Sequence, residues 1–372
     1  MSVRRTVLAG VVAALTAVSV APALATHDNG KGKSQDHHNG KPRPTAPYDD
    51  PCTGNPYDVQ RMGLVVDGGE ALALVATPRK KPRGIVVFDH GYGHTMESWR
   101  EHVSRTADRL GVIAIAPNYR GQTVPPPGTK VSSRGWRVAE GAADTIAYAQ
   151  YYERLCKPTG TNVVYGVSMG GNTSGLVVAA KPKGPDGKPL FDYWVNVEGA
   201  VNVTETYAGA SVLAGANEFA ANAKADIEEA FGGTPMDAPD TYAERTVVNR
   251  TADIAAAGLK GVVVVHGLAD GLVPYNQSRE LQTLLRAQGV PVDMWTAVTR
   301  KEGTESGTTI DGYAIGEDSP FAGHASETST THVVGVAGFA ALDRLYSSTP
   351  FACAETVYDG QTDQTVTTPT GC

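Results

Sequence analysis

A chain of 372 residues is long enough for one large α/β domain with an insertion, or for two ordinary domains. Its formal net charge of −7 gives it no electrostatic reason to seek nucleic acid or an anionic membrane. Hydrophobic residues at 41% and charged residues at 19% are ordinary for a globular protein, and aromatics at 7% suggest no polymer-binding surface.

Residues 1–25 read as a signal peptide. Arg4 and Arg5 form a charged start, Val7 to Val20 is an apolar run, and Ala23-Leu24-Ala25 is a cleavage site. The run is too short to span a bilayer comfortably, so no transmembrane segment is expected after cleavage. Arg4-Arg5-Thr6-Val7-Leu8 has a weak likeness to a twin-arginine signal, and the export route stays open. Cleavage removes two arginines and no acids, leaving 30 basic against 39 acidic residues and a net charge of −9. A secreted protein with four cysteines is expected to form two disulfides. Of three possible pairings, the favoured one joins Cys52 to Cys156 and Cys353 to Cys372. Residues 26–50 hold almost nothing to bury and read as a disordered tail, in which His27, His37 and His38 are solvated rather than metal-binding.

From residue 51 to 372 the pattern is that of one catalytic domain. Val59–Val66 and Ala71–Ala76 suit antiparallel strands at a sheet edge. Runs at 84–88, 112–116, 162–165, 193–197 and 261–265 are apolar on both faces, as in a parallel sheet covered by helices on both sides. Helical spacing appears at Ser98–Leu110, Trp136–Leu155, Ser278–Ala287 and Thr331–Tyr346. Strand–helix alternation implies an open, mostly parallel α/β sheet. About sixty residues of helical composition, roughly 200–260 and including Glu218–Phe231, are too many for one crossover and read as a helical cap inserted into the sheet domain.

Gly166-Val167-Ser168-Met169-Gly170 is a G-x-S-x-G pentapeptide between a strand and a helix. That context suits a nucleophile on a sharp, strained turn, which lifts the Ser168 hydroxyl clear of the sheet. Glycine is needed on both sides of the turn because side chains there would collide, and Gly171 lets the helix pack close to its neighbour. His90-Gly91-Tyr92-Gly93-His94 ends the first apolar strand. The backbone N–H groups of Tyr92 and Met169 are the expected oxyanion donors, with Asp89 and His90 structural. After the fifth apolar strand, His266-Gly267-Leu268-Ala269-Asp270 offers Asp270 as the acid that orients the base, with Glu198 as the alternative acid. The base must follow Asp270. His324, in a Gly-containing loop, is favoured over His332, which sits near the start of the last helix.

GVSMGG, HGYG, the NYRG of Asn118–Gly121 and HGLADGLVP together resemble the α/β-hydrolase superfamily, especially its bacterial secreted esterases and peptidase-like members. The resemblance spans about Arg61 to Tyr346. It implies an eight-stranded sheet, a Ser-Asp-His triad, an acyl-enzyme intermediate, and neither cofactor nor metal. Val167 stands where His or Trp is more usual, and Val124–Ser133, with Pro125-Pro126-Pro127, is longer and stiffer than usual. Both put the substrate class in question rather than the reaction.

The expected function is therefore secreted hydrolysis of a small-molecule or lipid-like carboxylic ester. A peptidase and an acyltransferase of the same fold are the rivals within enzymes. A non-catalytic binding protein on a hydrolase scaffold is the rival outside them.

Overall fold

The computed structural model describes residues 50–126, 132–299, 309–310, 313–314, 323–325 and 327–372. The expectations for the signal peptide, for residues 26–49, for the middle of the Pro-rich loop and for Phe321–Ala322 lie outside these residues.

The apolar runs become strands because each alternates its side chains between two cores. Ile85 and Val87 of β3 (Gly84–Asp89) join one buried cluster, whereas Val86 and Phe88 join the other. Burial on both faces follows from this alternation. The same division holds along β4 (Ile113–Pro117), β5 (Thr161–Val167), β6 (Tyr193–Val197) and β7 (Gly261–Gly267). The first cluster is covered by α2 (Val138–Cys156), α3 (Met169–Ala179) and α8 (Tyr275–Ala287). The second is covered by α1 (Arg100–Leu110) and α9 (Val333–Leu345).

The sheet order is β1-β2-β4-β3-β5-β6-β7-β8-β11-β12. The edge strands β1 (Gln60–Val66) and β2 (Gly69–Ala76) are antiparallel, and β2 also runs antiparallel to β4. From β4 through β3, β5, β6 and β7 to β8 (Val292–Thr299) every pairing is parallel. This is an α/β-hydrolase fold.

Ten strands replace the eight that the resemblance implies. The additional pair, β11 (Ala354–Asp359) and β12 (Gln364–Pro369), is a C-terminal hairpin added beside β8. The Cys353–Cys372 disulfide, with Cα atoms 5.2 Å apart, closes it. Cys52–Cys156 ties the segment before β1 to the end of α2. Both disulfides match the favoured pairing. A separate two-stranded hairpin joins β9 (Thr309–Ile310) to β10 (Tyr313–Ala314).

Four helices fill the interval between β6 and β7: α4 (Val203–Leu213), α5 (Glu218–Phe231), α6 (Pro239–Arg245) and α7 (Thr251–Ala256). Helix α5 has the bounds its sequence suggests. The Asn217 side chain accepts the Ala220 N–H at 2.9 Å at its start, and Gly232 in the left-handed region ends it. No helix among the described residues is long and apolar enough to cross a membrane.

Candidate active site

The strand order decides which loops meet. Strands β3, β5, β6 and β7 are parallel neighbours. The segments after their carboxyl ends therefore lie side by side: His90–His94, Ser168, Glu198 and Asp270. Open α/β sheets place their ligand sites at such strand ends.

Ser168 links β5 to α3 with φ 57° and ψ −123°, a backbone conformation that costs energy for any residue with a Cβ. Three backbone hydrogen bonds hold it. Its N–H donates to the Val197 carbonyl at 3.0 Å, and its own carbonyl accepts from Gly171 at 2.9 Å and Ala200 at 3.0 Å. The flanking glycines are a steric requirement. A Cβ on Gly166 would lie 2.0 Å from the Gly170 carbonyl oxygen, and one on Gly170 would lie 2.1 Å from that of Asp89. Met169 is fully buried as the first residue of α3, whose first N–H groups have no partner within the helix.

The loop after β3 packs directly on the serine: a Cβ on Gly91 would sit 3.3 Å from Ser168 Cβ. Tyr92 is held from beneath. Its hydroxyl donates to Asp226 of α5 at 2.6 Å. The same carboxylate accepts two bonds from Arg134, at 2.7 and 2.8 Å, and the Gly135 N–H at 2.8 Å. Burial alone would raise the Asp226 carboxyl, but these donors hold it below the usual range. His90 stacks on Tyr119 at 4.0 Å, and Asp89 accepts the Thr145 hydroxyl at 2.6 Å. Both are packed within the scaffold.

His324 and Asp270 meet. The Nδ1–H of His324 donates to Asp270 Oδ2 at 2.8 Å, which leaves Nε2 as the nitrogen not engaged by Asp270. Gly323 seats the His324 loop on the Asp270 loop, since a Cβ there would lie 2.5 Å from the Ala269 carbonyl. Asp270 Oδ1 accepts the N–H groups of Leu272 and Val273 at 2.8 and 2.9 Å. A second imidazole, His266 Nε2, lies 3.2 Å from Oδ2. Burial opposes ionisation of Asp270, yet the two imidazoles hold its pKa well below the usual carboxylate range. Burial would lower His324, but the Asp270 charge, with Glu198 and Glu327 behind it, outweighs burial and raises it to about 9.

The alternative residues have other places. His332 caps α9, its Nδ1 accepting the Val334 N–H at 3.3 Å, while Asp270 is engaged by His324 and His266. Glu198 is fully buried, 3.6 Å from the His324 Nδ1 that Asp270 approaches to 2.8 Å.

Three contributors escaped the sequence reading: Asp226, Arg134 and Glu327. Glu327, three residues beyond His324, accepts the Gly91 N–H and lies 2.7 Å from His94 Nδ1. It thereby ties the His324 loop to the loop beside Ser168. Burial would raise its carboxyl, but His94 and the Gly91 N–H bring it down to about 2. No local motif marks these residues, because their partners lie 88 to 236 positions away in the chain.

Glu198, His266 and Asp270 bring three ligand-type atoms within 4.8 Å of one another. The set does not suit a metal. His266 Nε2 also faces the Val273 carbonyl at 2.9 Å and so carries a hydrogen, and Asp270 is occupied by four donors.

Residues 98–310 match the model of the prolyl oligopeptidase family, peptidase family S9. The chain belongs to that family. It is accordingly a serine hydrolase, one member of a prolyl oligopeptidase family built on the α/β-hydrolase fold. No curated protein matches the chain. Among solved structures it is similar to an esterase of Pyrobaculum calidifontis, at 21% identity over 64% of this chain and 75% of that one, with a TM-score of 0.48. It is similar to the acylaminoacyl peptidase of Pyrococcus horikoshii at 14% identity, covering 64% of this chain and 36% of that one, with a TM-score of 0.47. Carboxyl esterase 2 of Tuber melanosporum is similar at 14% identity over 69% and 79% of the two chains, with a TM-score of 0.48.

Proposed function

We propose that this prolyl oligopeptidase family member is a secreted carboxylic ester hydrolase that works through an acyl-enzyme. The observation that carries the reading is the buried His324–Asp270 pair together with a strained Ser168 packed against Gly91. Ser168 Oγ attacks the carbonyl carbon and His324 Nε2 takes its proton. The N–H groups of Tyr92 and Met169 receive the developing oxyanion. His324 then returns the proton to the leaving alkoxide, and water repeats the cycle on the acyl-serine. Asp270 holds the imidazole with Nδ1 protonated and offsets the charge it gains.

The ester reading is supported by the commitment of the carboxylates around the serine. Glu327, Asp226, Glu198 and Asp270 are each bonded within the protein, which leaves none of these four to hold the charged amino end of a peptide. Family membership favours a second reading, hydrolysis of a peptide or amide. Two disulfides are compatible with secretion, and the signal peptide at residues 1–25 is part of the proposal.

A panel of short-chain p-nitrophenyl esters and peptide anilides, run with Ser168→Ala as the control, tests both. Ester turnover that Ser168→Ala abolishes is the expected result. Anilide turnover without ester preference would establish the second reading instead.

A further inference from the structure

We propose that Glu198 is a positioning residue: a second carboxylate that stands beside Asp270 at the His324 imidazole, clamps the loops that carry both residues and governs how readily the base gives up its proton. The inference rests on the reading of His324 as the base.

The geometry is specific. Glu198 stands at the carboxyl end of β6 with φ 46°, in the left-handed region that a residue with a Cβ seldom adopts. The Glu198 N–H donates to the Val265 carbonyl at 2.8 Å, which fixes the turn. Its Oε2 accepts the Ala325 N–H at 2.6 Å, the peptide just after His324. Its Oε1 accepts the Gly267 N–H at 3.2 Å, at the end of β7 where the loop that carries Asp270 begins. One side chain thus clamps the base loop to the acid loop. Its Oε2 also lies 3.6 Å from the same His324 Nδ1 that donates to Asp270 at 2.8 Å.

Two carboxylates beside one imidazole do not act alike. Asp270 has four donors and stays ionised. Glu198 has two backbone donors, is fully buried and feels the Asp270 charge, so burial and then that charge push its pKa up to about 7. The other groups that bear on it are His324 and His266. The Tyr165 hydroxyl lies within the field of Glu198 and Glu327, and Glu327 acts on His324 from the His94 side. Ionised Glu198 stabilises the imidazolium, which cannot accept the Ser168 proton. Protonated Glu198 removes that restraint and leaves Asp270 to orient a neutral base. The charge on Glu198 and the charge on His324 therefore depend on each other, and the imidazole titrates over a broadened pH range.

The test is the pH dependence of kcat/KM for the full chain on a short-chain p-nitrophenyl ester, comparing wild type, Glu198→Gln and Glu198→Asp. The wild-type acid limb should be broad and lie above the ordinary histidine value. Glu198→Gln should give a single ionisation about one pH unit lower or more, and Glu198→Asp should restore the broad limb. An NMR titration of the His324 ring gives the same comparison without turnover. Asp270→Asn should also keep about tenfold more activity than Asp270→Asn with Glu198→Gln, since one carboxylate still faces the imidazole. A Glu198→Gln variant with lower activity and an unmoved limb would show a clamp only and overturn the proposal. A wild type that neither turns over the ester nor takes up a fluorophosphonate would instead sink the serine-hydrolase reading on which it rests.

Discussion

Replacing Asp226 by alanine tests whether helix α5 sets the loop proposed to hold the oxyanion. The carboxylate is 5% exposed and accepts four hydrogen bonds, one from Tyr92, two from Arg134 and one from Gly135. Removing one partner of a buried pair costs about 3–5 kcal/mol. The Arg134 side chain is 34% exposed, so water takes over part of its solvation and the expected loss is about 2–3 kcal/mol. Deleting one oxyanion donor outright costs about 10² to 10³ in kcat. Asp226→Ala leaves the Tyr92 N–H present but unsupported, so kcat should fall by roughly tenfold to a hundredfold with KM little changed. Tyr92→Phe, which loses one of the four bonds, should fall by less. Urea unfolding measures the first quantity and steady-state hydrolysis of a p-nitrophenyl ester the second. A destabilised Asp226→Ala with kcat within about twofold of wild type would refute the link between α5 and the oxyanion loop.

Other outcomes follow from the same geometry. His324→Ala should abolish turnover, whereas His332→Ala should lose a helix cap and buried packing, at least about 1 kcal/mol in urea unfolding, and keep kcat. Glu327 is held near pKa 2 in the folded protein, below its unfolded value. Its contribution to stability is therefore present above about pH 4 and lost as pH falls toward 2, so Glu327→Gln should flatten the acid-unfolding curve over that window. A Cβ on Gly170 meets the Asp89 carbonyl at 2.1 Å, and Gly170→Ala should fail to reach the native circular dichroism spectrum. Removing Cys52–Cys156 closes off a restraint spanning 104 residues and should cost about 4–5 kcal/mol, against about 3 for Cys353–Cys372, spanning 19.

What the sequence made legible is what is local. The strand–Ser168–helix turn, the parallel apolar runs and the bounds of α5 each depend on neighbours within a few residues. Strand β8 did not stand out because Val292–Thr299 carries Asp293 and Thr296 among its apolar residues. Both are buried only because each finds a partner, Trp295 Nε1 at 2.9 Å for Asp293 and the Tyr275 hydroxyl at 2.8 Å for Thr296. The β11–β12 hairpin is rich in Thr and exposed along β12, so no apolar run announces it. At the site, chain order singled out Asp270 and His324, which the fold brings within hydrogen-bond distance. Asp226, Arg134 and Glu327 carry no motif, since their meaning comes from Tyr92, Gly91 and His94 far away in the chain. Glu198 read as a substitute for Asp270 because a sequence shows that both acids follow strands, not that the sheet sets them side by side.

The most direct test of an activated Ser168 is labelling of the purified protein with a fluorophosphonate probe, read by intact mass and followed by peptide mapping. The account predicts one adduct, on Ser168, that disappears in Ser168→Ala and is slowed by at least about a hundredfold in His324→Ala. A folded wild-type protein that takes up no probe, or takes it up elsewhere than Ser168, would contradict the account.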